Sequence, residues 1–205
     1  MTSISIIGSG KMGSAIANIA ALAGADIQIV NRSAKPTKDH PDTRYAALGD
    51  DLTGELVVFA VPYGAYPNIL KHYRDRLGGK VIIDISNTVD FTTYEQPQAL
   101  VGTSTALELA KQLPGDVAVL KAFNANLADT LIARTNGTTT TTVLIAGDDA
   151  EGKIALAEIL RAAGLRAVDV GPLQRSRQLE AIGFLQMVLA SSGKTRFESG
   201  FTLLP

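Results

Sequence analysis

Two apolar periods take turns along this chain. Short runs of aliphatic and β-branched residues, at Ser3–Ile7, Asp26–Val30, Glu55–Pro62, Lys80–Ile85, Val117–Leu120, Thr140–Ala146 and Leu165–Val170, read as buried strands. Between them the apolar residues recur at helical spacing. Met12, Ala15, Ile16, Ile19, Ala20 and Ala23 give one apolar face after the first strand, and Gly24 stops that helix. Further helices are predicted over Gly64–Leu77, over Ser104–Leu113 with Ser104 as cap, and over Ala125–Arg134. Two more run from the Gly147–Asp149 turn to about Ala163, and over Leu173–Ala190. Arg44–Leu48 fits a short edge strand, Phe91–Thr103 an irregular loop, and the threonine run Thr138–Thr142 a β-branched strand entry.

Strands that alternate with helices predict an α/β fold with a doubly wound, mostly parallel sheet of Rossmann type. No internal repeat or linker divides the chain. The expectation is one domain over residues 1–205, with 171–205 as a small C-terminal helix and tail. That last helix is unusual. Ala181, Ile182, Phe184, Leu185, Met187, Val188, Leu189 and Ala190 leave few polar positions between them. A helix apolar nearly all round is buried on both sides, which favours a homodimer interface that also closes the substrate pocket.

The first strand breaks into Gly8-Ser-Gly-Lys-Met-Gly13, the G-x-G-x-x-G spacing, and Ser14–Ala15 continue into a helix. In that pattern Gly8 permits the tight turn, Gly10 lets backbone approach a pyrophosphate, and Gly13 lets helix pack close to strand. Ser9, Lys11 and Met12 lie on the same turn, where the first amides of the helix face a phosphate along the helix dipole. A dinucleotide site is predicted here. An Asp or Glu at the end of the second strand would accept hydrogen bonds from an adenosine ribose. This chain has Asn31, Arg32, Ser33 and, further out, Lys35. Those groups attract a 2′-phosphate that a carboxylate would repel, so NADP is favoured over NAD.

Composition narrows the partners. At 205 residues with 46% hydrophobic content and a formal net charge of −1, the chain can bury one sizeable core. It offers no electrostatic case for nucleic acid or an acidic membrane surface. Cysteine is absent, which excludes disulfides and cysteine-based metal sites, and no metal-ligand cluster is suggested. No basic n-region precedes the first strand and no apolar run reaches membrane-spanning length. A cytoplasmic protein is expected.

Ligands of doubly wound sheets lie across the carboxyl ends of the strands. This adds Ala60, Val61, Pro62 and Tyr63 after the fourth strand, Ser86 and Asn87 after the next, and Phe123 and Asn124 after Val117–Leu120. The backbone of 60–62 suits the nicotinamide half. The two asparagine amides suit a carboxamide, a ribose or a substrate carbonyl, or alternatively serve as strand-end caps. Arg175 and Arg177 could meet an anionic substrate tail or stand in solvent.

The motifs Gly8-Ser-Gly-Lys-Met-Gly13, Val58-Phe-Ala-Val-Pro62, Asp84-Ile-Ser-Asn87, Val119-Leu-Lys-Ala-Phe-Asn124, Ala146-Gly-Asp-Asp149 and Gly171-Pro-Leu173 followed by Leu179-Glu180 occur in this order. Together they resemble the NADP oxidoreductases dependent on coenzyme F420, over roughly residues 3–185. The resemblance implies a Rossmann core with a small C-terminal appendage, usually dimeric, in which a deazaflavin stacks on the nicotinamide and hydride passes between the rings. It places Gly8, Ser9, Lys11 and Met12 by the pyrophosphate and Arg32 with Ser33 by the 2′-phosphate. Val61 and Pro62 would line the nicotinamide, and Asn124 would face the acceptor ring. Whether that acceptor is coenzyme F420 or a flavin such as FMN stays open.

Hydride transfer between stacked rings needs orientation more than a proton shuttle. The sequence agrees: His40 and His72 sit in polar surroundings, and no nucleophile–base constellation is apparent. No single catalytic residue is expected, although Tyr63 is the best-placed acid for a carbonyl. Two alternatives remain. Gly-Lys-Met-Gly-Ser-Ala-Ile-Ala also resembles pyrroline-5-carboxylate reductases and related imine enzymes, a resemblance that implies a further all-helical domain. The other is a redox sensor that binds NADP without turnover.

Overall fold

The computed structural model describes residues 2–34, 43–87, 89, 93, 95 and 101–203. Six strands run parallel: β1 (Ser3–Ile7), β2 (Asp26–Asn31), β3 (Arg44–Ala47), β4 (Leu56–Phe59), β5 (Val81–Asp84) and β6 (Ala118–Lys121). A short hairpin, β7 (Thr135–Asn136) with β8 (Thr139–Thr140), stands apart from the sheet. β9 (Thr142–Gly147) then pairs antiparallel to β6, and β10 (Arg166–Asp169) pairs parallel to β9. The sheet order is β10-β9-β6-β5-β4-β1-β2-β3. The fold class read from the sequence is therefore correct, with one reversal at the β6–β9 seam that alternation alone does not reveal.

The helices are α1 (Lys11–Leu22), α2 (Tyr66–Tyr73), α3 (Thr105–Ala110), α4 (Ala128–Ala133), α5 (Ala150–Ala162) and α6 (Ser176–Ser191). α1, α4 and α5 pack on one face of the sheet through Ile16, Ile19, Leu131, Leu156 and Leu160. α2 and α3 cover the other through Tyr66, Ile69, Tyr73, Ala106 and Leu109. Both faces of the central strands are thus dry, which is why they read as unbroken apolar runs. Two buried exceptions satisfy each other. The Ser5 hydroxyl donates to Gln28 Oε1 at 2.6 Å, and the Gln28 amide donates to the Asp51 carbonyl at 2.8 Å.

Several predicted helices are shorter than expected, for local reasons. Pro67 sits in the first turn of α2 and Tyr73 leaves helical geometry, so Gly64–Leu77 is a helix between two 3-10 turns, Tyr63–Ala65 and Arg74–Arg76. α3 ends at Ala110 rather than Leu113, while Ser104 caps it by accepting from the Leu107 amide at 3.1 Å. α4 begins at Ala128 rather than Ala125. The chain is held back there by Phe123, a non-glycine residue at φ 60°, and by the Asn124 amide donating to the Ala122 carbonyl at 2.7 Å.

Within the protomer α6 is buried along one side only. Its buried positions are Ser176, Leu179, Glu180, Gly183, Gln186 and Ala190, mostly polar or small, while Leu185 is 50% exposed and Ile182, Val188 and Leu189 are half-buried. The helix turns Ser176, Glu180 and Gln186 inward, while Arg177 and Gln178 face outward. α6 lies over the carboxyl ends of the strands, and the tail returns to it where the Phe201 amide donates to Gln186 Oε1 at 2.9 Å.

Candidate functional site

From β1 the chain steps outward through β2 to β3, then returns to the far side of β1 as β4. Neighbouring connections therefore leave in opposite directions at the carboxyl ends of β1 and β4, where doubly wound sheets open a crevice. A cavity of about 940 Å³ occupies this place. Its walls include Gly10, Lys11 and Met12 of the glycine turn, and Ala60, Val61, Pro62 and Tyr63 after β4. Ser86, Asn87, Phe123 and Asn124 continue the wall, and Gly183, Gln186 and Met187 of α6 with Phe197 of the tail cover it.

The glycine turn has the three-part geometry its spacing predicts. Gly8 stands at φ 108°, and a Cβ there would lie 2.5 Å from the Ala60 carbonyl oxygen and 2.8 Å from Val61 Cγ1. A Cβ on Gly13 would be driven into the Gly8 carbonyl oxygen and lie 3.3 Å from Ala60 Cβ. On Gly10 it would meet nothing within 4 Å. The first and third glycines thus serve the packing of α1 against β1 and β4, while the second faces open space. α1 begins there without a side-chain cap or an acidic residue in its first turn. Its first amides are unopposed by any carboxylate and fit an anionic diphosphate.

Of the remaining sequence-predicted residues, Ser9 lies on the turn, where its carbonyl accepts from the Ser14 hydroxyl at 3.3 Å. The Gly8 amide donates to the Val30 carbonyl at 2.9 Å, so the end of β2 adjoins the turn. Asn31 is half-buried there, and Arg32 and Ser33 are exposed just beyond it. Lys35 and His40 lie outside the described residues. Arg175 and Arg177 are exposed and take no part in the cavity wall.

The two asparagines do not both point free amides into the crevice. Asn87 Nδ2 donates to the Asn124 carbonyl, and Asn124 Nδ2 donates to Asn87 Oδ1, both at 2.8 Å. Asn124 Nδ2 also donates to the Leu179 carbonyl of α6 at 2.8 Å. Gly183 meets this pair so closely that a Cβ would lie 2.6 Å from both the Asn124 carbonyl and Asn87 Oδ1. Asn124 Oδ1 is buried and has no hydrogen-bond partner among the described residues.

Tyr63 rests edge-on against Tyr66, with ring centroids 5.1 Å apart. Burial, and then the negative charge of Glu108, pushes the Tyr63 phenol upward from its ordinary range, so it keeps its proton. Glu108 itself forms part of the wall and is held by Lys111 and Thr103 at 2.7 Å each.

Beneath the floor lies a charged group whose members fall within the motifs quoted above but whose pairing the sequence did not show. Lys121, Asp84 and Glu180 are all buried, with Lys121 Nζ 3.0 Å from Asp84 Oδ2 and 2.7 Å from Glu180 Oε1. Lys121 also donates to the Ser86 carbonyl and to Thr105 Oγ1, and Tyr66 donates to Asp84. The available signal was a charged residue at the end of each of two apolar strands, Asp84 and Lys121, where buried charges require partners. Nothing in the linear order pairs either with Glu180.

A parallel sheet wound both ways around a crevice, opened by this glycine turn, defines the Rossmann class of dinucleotide-binding proteins. Residues 3–88 match the profile of the family described as NADP oxidoreductase, coenzyme F420-dependent. It is 29% identical to the metalloreductase STEAP3 of Rattus norvegicus over 181 residues, 87% of this chain and 36% of the relative. It is 24% identical to the F420-dependent NADP reductase of Methanocaldococcus jannaschii over 132 residues, 63% of this chain and 59% of the relative. The chain thus spans about a third of the first relative's length and under two thirds of the second's. A solved structure of a candidate F420-dependent NADP-reductase from Arthrobacter sp. FB24 superposes over 100% of both chains with a TM-score of 0.86 at 22% identity, which shows the fold. Among the described residues no helix is long and apolar enough to cross a membrane.

Proposed function

We propose that this chain holds NADP(H) along Gly8–Gly13 and Asn31–Ser33 and transfers hydride between it and a flat, ring-shaped acceptor, coenzyme F420 or a flavin such as FMN. The observation that carries this reading is the wall of the cavity. Its lining includes Ile85, Val89, Phe123, Leu127, Met187 and Phe197, while its lining cation among the described residues is Lys11, on the glycine turn. Such a wall suits a neutral apolar ring system and offers no clamp for a small anionic substrate.

The nucleotide, when bound, supplies or accepts the hydride. The chain's own residues orient the reactants. α1 and the glycine turn seat the diphosphate, and Arg32 with Ser33 discriminates for a 2′-phosphate. The backbone of Ala60–Pro62 sets one wall of the nicotinamide position. Asn87 and Asn124, locked to each other, set the other, and α6 with Phe197 excludes water. Catalysis by proximity requires no residue that exchanges protons.

One observation favours a second reading. Tyr63 places a phenol in the wall of the cavity, where a general acid for a carbonyl or imine substrate would stand. Purified protein with NADPH separates the two: loss of nicotinamide absorbance with a deazaflavin or FMN, and none with cyclic imines, supports the first. Turnover of imines alone supports the second. Nucleotide binding without any acceptor-dependent oxidation would leave a redox sensor.

The inward polarity of α6 supports a homodimer. Ile182, Leu185, Val188 and Leu189 form an apolar strip that the protomer leaves partly uncovered, as a subunit interface would. In this reading residues 1–205 form one functional unit and 171–205 its cover.

A further inference from the structure

The buried cluster under the site contains one ammonium and two carboxylates. Lys121 comes from the end of β6, Asp84 from the end of β5 and Glu180 from the first half of α6; Thr105 opens α3 between them. The Thr105 hydroxyl is the informative atom. Its oxygen lies 2.7 Å from Asp84 Oδ2 and 2.8 Å from Glu180 Oε1, yet it has one proton to give. With both carboxylates ionised, one of these short contacts would hold two oxygens together with no proton between them.

Asp84 is the better-furnished anion. Its oxygens accept from Lys121, from the Tyr66 phenol and from the Ser86 amide at 2.8 Å. Glu180 accepts from the Thr105 amide at 2.9 Å and shares Lys121. A proton on Glu180 resolves the conflict: Glu180 donates to Thr105 Oγ1, which donates to Asp84. One ion pair and one neutral acid then fill the cavity, and no net charge is stranded in a water-free space.

We propose that Lys121, Asp84 and a protonated Glu180 form a clasp whose members are positioning residues: it fastens α6 over the site and fixes the wall made by Asn87 and Asn124. The lever arms are short. Lys121 donates to the carbonyl of Ser86, which precedes Asn87, and Glu180 sits one turn from Gly183, the residue packed against both asparagines. The titratable groups facing Glu180 are Lys121 and Asp84, with the Tyr66 and Tyr63 phenols behind them.

The titration directions agree with this division. Burial raises Glu180, the repulsion of Asp84 adds to it, and Lys121 only partly offsets them. Burial would raise Asp84 too, but Lys121, Tyr66 and Thr105 outweigh it and hold that group below its ordinary range. A carboxyl raised in the folded state stabilises fully below its unfolded value of 4.5, and that contribution is lost as pH climbs from there toward the folded value.

The test is thermal unfolding of the full chain from pH 5 to 9 for wild type, Glu180→Gln and Asp84→Asn. An amide at 180 donates to Thr105 as the neutral acid does but cannot ionise. The midpoint of Glu180→Gln relative to wild type is therefore expected to climb with pH, the folding equilibria diverging by up to about tenfold per pH unit. Asp84→Asn, which strands Lys121, is expected to fall below wild type throughout or fail to fold. A difference between Glu180→Gln and wild type that is flat or shrinks with pH overturns the proposal, whatever Asp84→Asn does. The positioning role, which rests on the proposed function, is read separately: Glu180→Ala raises the acceptor KM and Glu180→Gln restores it. The melts need no substrate, so a wild type inactive with every acceptor would count against the function and leave the clasp to be judged by its pH profile.

Discussion

Gly10 and Gly13 lie three residues apart in one turn, yet alanine should act on them in opposite ways. At Gly13 the added methyl would collide with the Gly8 carbonyl oxygen and crowd Ala60 Cβ at 3.3 Å, contacts made by backbone and by a short side chain that cannot swing aside. Overpacking of this kind costs about 3 kcal/mol. For a chain of this size that lowers the melting midpoint by about 6–12 °C. At Gly10 the methyl meets nothing within 4 Å, and the helix begins there without a side-chain cap. The free protein should lose no more than about 1 kcal/mol. If a diphosphate rests on that turn, the methyl occupies its approach, and NADPH affinity should fall at least tenfold, which is about 1.4 kcal/mol. Thermal melts and a fluorescence titration with NADPH, run on both variants, read the two effects. Unaltered NADPH affinity in a folded Gly10→Ala protein would refute the placement of the nucleotide over the turn. An unchanged melting midpoint in Gly13→Ala would refute the close packing of α1.

Other expectations follow from separate parts of the molecule. Arg32→Asp should weaken NADPH by about 10- to 100-fold, the worth of a charge-assisted contact, and NADH far less; equal losses for both would remove Arg32 from the 2′-phosphate site. Leu185→Asp alters a residue that is 50% exposed, so the protomer should stay folded while sedimentation shows a monomer; an unchanged dimer would place the interface elsewhere. Tyr63→Phe should leave hydride transfer to a deazaflavin or FMN nearly unaffected, whereas a fall of about 100-fold or more would make Tyr63 a general acid.

The chain's own order was enough to specify the central strands, the glycine turn and most of the cavity wall, though not the antiparallel pairing of β6 with β9. Apolar runs of four to six residues, each ended by a turn, can only be strands covered on both faces, and ligands of such sheets gather at one edge. That rule gathers Ala60–Tyr63, Ser86–Asn87 and Phe123–Asn124 around one space, and they line the cavity. Helix lengths were less legible, because Pro67 and the φ of 60° at Phe123 act locally against a longer periodic pattern. Only the tertiary structure decided the role of α6. Its apolar residues dominate the linear pattern, yet Ser176, Glu180, Gly183 and Gln186 are among those turned inward while Leu185 is exposed. A polar residue is buried when partners wait for it, and Glu180's partners, Lys121 and Thr105, lie far away in sequence. Periodicity registers the cost of removing a side chain from water. It does not register the hydrogen bonds and opposite charges that offset that cost, since those come from strands and helices brought together by folding.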